Sequence, residues 1–187
     1  MALQGAGSGS SFVAPAGLTP KWPAGSTRDP GPHFREDGAG ARFPLTLPNT
    51  EFVYEALVEL GQGFLRLGRG PLGERTIVPI TGGRFEGPKV GGSVLSGGAD
   101  RQLVRADGAT LLDALCELQT DDDAILTVNN RALATKRADG SAYAFSQLNI
   151  TAPEGPHAWL NHLAPVGDLH FDPMHPQVVL IRAYSLT

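Results

Sequence analysis

From residue 51 onward the chain alternates between apolar and polar positions with the period of two that marks a half-buried strand. Phe52, Tyr54, Ala56, Val58 and Leu60 fall on one face, and Val53, Glu55, Leu57 and Glu59 on the other, which predicts a strand with one wholly apolar side. Glycines at 61, 63, 68, 70 and 73 then break the chain repeatedly. The β-branched run Thr76–Thr81 (TIVPIT) reads as a second strand ending at Gly82-Gly83. Short strands are predicted over Arg84–Glu86, Lys89–Leu95 and Asp100–Arg105, followed by a turn at Asp107-Gly108.

The stretch Thr110–Gln119 (TLLDALCELQ) reads two ways. Leu111, Leu112, Leu115 and Leu118 fit a helical stripe, and its leucines, alanine and glutamate are good helix formers. As a strand it places Leu112, Ala114, Cys116 and Leu118 on one apolar face. Turn signals about every ten residues on both sides favour the strand. Further strands are predicted over Ala124–Ala134, Ala142–Ile150, His157–Leu163 and Val178–Leu186. Many short strands predict an all-β domain spanning residues 51–187, and removing exposed edges favours a single, mostly antiparallel barrel over an open sheet.

Residues 1–50 form a different region, a Pro/Gly-rich extension holding seven of the 15 prolines and no sustained periodicity. Such a segment buries too little apolar surface to offset its own ordering entropy. It reads either as a mobile tail or as an arm pinned through Phe12, Val13, Trp22, Phe34 and Phe43.

Composition narrows the partners. With 24 glycines among 187 residues the chain is no helical bundle. Its net charge is −4 and its basic residues are scattered, which argues against nucleic acid. The lone Cys116 excludes an internal disulfide framework and a multi-cysteine metal cluster. No apolar stretch is long enough to cross a bilayer, and Met1–Ser10 has no apolar core of a secretory signal, so a cytoplasmic protein is expected.

Several residues are candidates for chemistry. Asp100 follows a flexible Gly97-Gly98 and can either point into a barrel mouth, where burial would raise its pKa, or cap its own turn. Asp113 and Glu117, four residues apart on a strand, are separated by about 13 Å and cannot share a proton, although Glu117 can act singly or simply face solvent. Asp121-Asp122-Asp123 lacks the spacing of a calcium loop and reads as an acidic hairpin turn. Read on a strand, His157, Trp159 and Asn161 share a face, an aromatic platform beside an amide donor; a core tryptophan with a structural asparagine is the competing reading. His162 is a further candidate acid–base group, because imidazole titrates near neutral pH. Arg75 can hold a substrate oxygen or merely face water. His157 and His162, five apart, fall on opposite strand faces, and His170, Asp172 and His175 could cluster in a loop that Pro173 and Pro176 constrain, so no metal is expected. Gly68–Gly73 matches G-x-G-x-x-G without the surrounding βαβ unit of a dinucleotide site, and no motif recruits a cofactor.

The stretch from Phe52 to the end resembles the family known as domain of unknown function 3237. The resemblance rests on Pro79-Ile80-Thr81-Gly82-Gly83, Phe85-Glu86-Gly87-Pro88, Gly92, Val94-Leu95, Gly97-Gly98-Ala99-Asp100, Thr120-Asp121-Asp122 and Trp159-Leu160-Asn161. It implies a small closed β-barrel with a central cavity, similar to allene oxide cyclase and lipocalin-like barrels, often self-associating, so a homodimer is expected. The chain departs from the family pattern at Arg101 (usually tryptophan), Asp123 (usually glycine) and His157 (usually tyrosine). If these residues line the cavity, it is more polar than in relatives.

Together these features point to a cofactor-independent isomerase, cyclase or lyase acting on an apolar, oxygenated small molecule. Asp100, Glu117 or His162 would move the proton and Asn161 would stabilise a developing oxyanion. Arg75, Tyr54, Phe85, Trp159 and His157 would bind substrate. A binding barrel without chemistry and a β-module filled by its own side chains are the alternatives. Ionisable residues at inward-facing positions distinguish the first from the others.

Overall fold

Why the alternation closes on itself is visible in the pairing of the first strand. The computed structural model describes residues 47–187, so the aromatic anchors proposed for the N-terminal extension lie outside the described residues. The described residues form ten strands: β1 (Thr50–Leu60), β2 (Leu65–Gly70), β3 (Gly73–Glu86), β4 (Gly91–Val94), β5 (Ala99–Val104), β6 (Thr110–Thr120), β7 (Ile125–Lys136), β8 (Ala142–Thr151), β9 (Val166–Phe171) and β10 (Val178–Leu186). β1 pairs antiparallel with β10 on one side and with β3 on the other. Every other neighbouring pair in the wall is antiparallel as well, running β10, β9, β8, β7, β6 and back to β3 through β4 and β5. β4 and β5 share one place in the wall, each bridging a different half of β3 and β6. The result is an eight-stranded closed barrel, with β2 carried outside it on the start of β3.

The segment 110–120 is a strand, as its surroundings predicted and against its helix propensity. Ten consecutive residues of β6 pair with β7, and both ends of β6 pair with β4 or β5. Tertiary pairing therefore outweighs the few tenths of a kcal/mol per residue that propensity carries. Three expectations are corrected. The strand predicted over 157–163 is a 3-10 turn, Ala158–His162. Strands β2 and β9, in segments read as connectors, are real; β9 is short and alternates only through Gly167 and Leu169, and β2 has a solvent-exposed edge. The third concerns Gly82-Gly83, which do not end a strand.

β3 instead runs through these glycines to Glu86, with a register shift opposite Glu59 and Leu60. Gly83 adopts φ +135°, and a Cβ there would lie 2.0 Å from the Leu57 carbonyl oxygen. Only glycine permits β1 and β3 to approach closely enough to close the wall.

Alternation fixes what lies inside. Tyr54, Ala56 and Val58 of β1, Ile80 and Phe85 of β3, Cys116 and Leu118 of β6, and Leu126 and Val128 of β7 form the larger apolar cluster. Tyr54 and Phe85 meet edge to face at 5.7 Å, a contact contributing about 0.5–1.5 kcal/mol beyond the area it buries. Leu160 of the 3-10 turn, 1% exposed, packs into this cluster and stoppers that end of the barrel. A second, smaller cluster of Leu112, Ala132, Ala144, Leu169 and Val179 sits toward the other end. No helix among the described residues is long and apolar enough to cross a membrane.

Replacing Gly83 with alanine should destabilise the barrel by roughly 2–4 kcal/mol, since a backbone clash and an unfavourable φ are imposed together. A urea unfolding curve compared with wild type measures it, with the midpoint expected to fall.

Candidate functional site

Cross-strand register places the inward residues in rows. One row runs Val78, Asp100, Ala114, Asn130 and Leu148 across β3, β5, β6, β7 and β8. The next runs Thr76, Gln102, Leu112, Ala132, Ser146, Gly167, Ala183 and Tyr54, turning around the barrel from β3 to β1. Most of these side chains are small. An eight-stranded barrel is only just wide enough for ordinary side chains to fill it, so alanine, serine and glycine at one level leave room. Ala114 points inward from the middle of β6 yet remains partly exposed, as do Gln102 and Thr76.

Asp100 is buried in this belt, 8% exposed. Its Oδ1 accepts the Asp113 backbone N–H at 2.9 Å and its Oδ2 accepts the Gln102 amide at 2.8 Å. Burial pushes its pKa above the ordinary carboxylate value; these two hydrogen bonds pull it partly back, and the Asp113 carboxylate adds a smaller upward push. Two strands along the same row, and on β8 in the next row, Asn130 Oδ1 and Ser146 Oγ are buried without a hydrogen-bond partner. Leaving such groups unpaired typically costs about 1–3 kcal/mol each, so a polar partner at this level would be favoured. Gly167 faces Ser146; a Cβ there would come within 2.8 Å of its Oγ. Tyr54 faces the same interior, and burial, with the neighbouring Cys116, raises its pKa, so its phenol stays protonated. Cys116 is likewise pushed up, to about 11, by burial and then by Glu117, and at neutral pH it is an inert thiol.

The residues singled out from the sequence divide sharply. Asp100, Tyr54 and Phe85 face inward as expected. Glu117 does not: it pairs with Thr127 on the outer face, because the inward positions of β6 are the even-numbered ones. Arg75 is also outward and exposed, lining an open groove of about 370 Å³ with Leu67, Leu72, Arg101 and Leu103 at the foot of the β2–β3 hairpin. The group His157, Trp159, Asn161 and His162 is no strand face. Asn161 accepts the Ala152 N–H at 2.8 Å and donates to the Ala152 carbonyl at 3.0 Å, tying the 3-10 turn to the end of β8. His162 is exposed, and Trp159 lies under Lys89, whose Nζ is 5.6 Å from the ring centroid. The four therefore serve the stopper rather than the belt.

His157 is buried, and its Nε2 meets Asp122 Oδ1 at 2.8 Å while its Nδ1 has no partner. Thr120 Oγ1 also donates to Asp122, and these contacts, the hydroxyl first, hold the Asp122 pKa below the ordinary carboxylate value. The contact links the β6–β7 turn to the stopper. The departures from the family pattern have local explanations too. Asp123 sits at φ +68°, a left-handed position that explains why glycine is usual there. Arg101 pairs with Ile77 and Asp113 on the outer face. Neither residue makes the cavity more polar. Asn130, Ser146 and Gln102, which do, went unnoticed in the sequence. Only the parity of β7 and β8 around Val128 and Leu148 pointed to them, and the pair Asn129-Asn130 hides which amide turns in.

A family model described as protein of unknown function (DUF3237) matches residues 48–186. A UPF0311 protein of Clostridium acetobutylicum is 32% identical over 153 residues, covering 74% of this chain and 94% of that protein. A UPF0311 protein of Rhodopseudomonas palustris is 33% identical over 84 residues, 45% of this chain and 54% of that relative. Among solved structures, a β-barrel-like protein from Acinetobacter baumannii superposes with a TM-score of 0.72 at 26% identity, over 78% of this chain and 99% of its own. A protein described as an enzyme from Penicillium herquei superposes with a TM-score of 0.62 at 22% identity, over 76% of this chain and 97% of its own.

If Asn161 is a brace, Asn161→Ala should lower stability by roughly 1–3 kcal/mol, because the buried Ala152 N–H and C=O both lose their partner. Asn161→Asp keeps the acceptor and loses the donor, and should fall between the two in denaturant midpoint.

Proposed function

The chain belongs to the DUF3237 family of proteins of unknown function, and from the contents of its barrel we propose that it binds a small oxygenated molecule there and moves a proton on it with Asp100. The observation that carries this reading is a buried, inward carboxylate of raised pKa that shares two adjoining rows of the barrel interior with two unpartnered polar groups, where the wall is lined by small residues. A carboxylate held in such surroundings is a stronger base than one in water, and its affinity for a proton lies nearer the working pH. Asp100 takes a proton from the substrate and returns it at another atom, which gives isomerisation, cyclisation or elimination without a cofactor. Tyr54, protonated and inward, supplies an O–H to an oxygen that gains charge in the step. Glu117, Arg75, His162 and Asn161 have no part in it, because of where they point. That a barrel of the same fold is described as an enzyme agrees with this reading, the fold alone being shared.

One observation favours a second reading. Both oxygens of Asp100 already accept hydrogen bonds from within the barrel, as a purely structural aspartate would. The protein is then a binding barrel without chemistry.

The two are separated by 5-nitrobenzisoxazole, a neutral probe whose ring opens on loss of one C–H proton. Wild type should accelerate its opening, with the rate rising as pH passes up through the raised pKa of Asp100. Asp100→Asn should lose about 10²–10⁴ of the acceleration. No difference between the two proteins would sink the catalytic reading and leave the binding barrel. Stability supplies the matching sign. Because the folded pKa of Asp100 is raised, ionising it disfavours the folded state. Its contribution therefore turns unfavourable as pH rises from the ordinary carboxylate range through the folded value. Asp100→Asn, which can keep both hydrogen bonds if the Gln102 amide turns over, should remove that loss, and its denaturant midpoint at pH 7–8 should equal or exceed wild type.

A further inference from the structure

Which molecules the interior can accept follows from the charges that face it. Along the eight strands of the wall, inward-facing positions away from the exposed strand ends carry no lysine, arginine or histidine among the described residues. Glu74 and Lys136 share the inward parity, but both stand exposed at strand ends. Asp100 is thus the one inward charge within the barrel, with no cation facing it.

An anionic ligand brought to this level would lose its water and meet a carboxylate with nothing to balance either charge, in a medium where like charges repel far more strongly than in solution. A cationic ligand would have a counter-charge in Asp100. Each of its oxygens already accepts one hydrogen bond, however, Oδ1 from the Asp113 N–H and Oδ2 from the Gln102 amide, which weakens it as the sole counter-charge for an ammonium that must also give up its water. The groups left wanting partners, Asn130 and Ser146, are both neutral. A primary amide and a hydroxyl each offer a donor and an acceptor, so whichever way the amide is turned the complement is a group that does both. A hydroxyl is such a group; a carboxylate only accepts and an ammonium only donates. Space for it is marked by Ala114, which faces inward from the middle of β6 yet stays partly exposed, as do Gln102 and Thr76.

We infer that the occupant of the barrel is an uncharged, hydroxyl-bearing molecule, its hydroxyl groups held by Asn130 and Ser146, and that carboxylates, phosphates and amines are rejected. This rests on the reading of the interior as a ligand site, and extends it from a position to a ligand class.

Three six-membered rings of similar size test it: trans-1,2-cyclohexanediol, cyclohexanecarboxylate and cyclohexylammonium. Each is titrated into the full chain carrying ¹³C-labelled alanine methyl groups, and the Ala114 and Ala132 resonances report entry into the barrel. The diol should shift both methyls saturably, and the two charged rings should bind at least tenfold more weakly. In Asp100→Asn the carboxylate should gain, narrowing its gap to the diol to less than threefold, because the repelling charge is gone. Equal or tighter binding of the carboxylate or the ammonium to wild type would overturn the ligand class while leaving the interior a binding site. If no probe moves either methyl, the ligand-site reading fails and this inference falls with it.

Discussion

Everything inside this protein depends on β1 having two partners. Its backbone donors and acceptors are shared between β10 along most of its length and β3 along its second half, and that double pairing turns a sheet into a cylinder. The seam is continued beyond β1 by reciprocal hydrogen bonds between Asn49 and Thr187. Closure removes the open edges that an antiparallel sheet would otherwise expose. It also converts the two faces of each strand into an inside and an outside, so parity along the chain becomes position in the molecule. β2 is the exception, an edge strand left outside the cylinder with Leu65 and Leu67 exposed.

The interior is then divided along its axis. Near the stoppered end, large side chains from β1, β3, β6 and β7 fill the cylinder and Leu160 seals it. In the middle, the residues shrink to alanine, serine and glycine, and polar groups replace apolar ones. Burying Asp100, Asn130 and Ser146 among hydrocarbon is unfavourable unless something satisfies them. The protein satisfies Asp100 from its own wall and leaves the other two open. Of the buried polar atoms left without a partner among the described residues, Asn130 Oδ1 and Ser146 Oγ face the interior in adjoining rows, whereas Asp168 Oδ1 of β9 and His157 Nδ1 lie away from them.

The surrounding contacts show how much of this a reader of the chain can recover. The strand at 110–120 was legible because turn signals on both sides bounded it, even though its leucines suit a helix. The segment 157–163 was not, since its alternation of aromatic and polar residues mimics a strand. What settles it is the bidentate grip of Asn161 on Ala152, a contact between residues nine apart that no periodicity reports. The motif Gly97-Gly98-Ala99-Asp100 left Asp100 between a turn cap and the barrel interior, and cross-strand pairing with Val78 and Ala114 is what turns it inward. Glu117 misled because its apolar neighbours suggested burial, but Leu111 and Leu115 share its outer face and are themselves exposed.

By itself the sequence determined that the chain is all β, where most of its strands lie, and that Tyr54 stands on an apolar strand face, and it left Asp100 between the barrel interior and a turn cap. Those are consequences of period, turn chemistry and local propensity, which act over a few residues. Only the tertiary structure decided that Asn130 and Ser146 face the same space as Asp100, that Glu117, Arg75 and Arg101 do not, and that His157 through His162 brace one end. These depend on register between strands far apart in the chain. Shifting that register by a single residue would exchange every inside position for an outside one, and nothing in a short stretch of sequence encodes it.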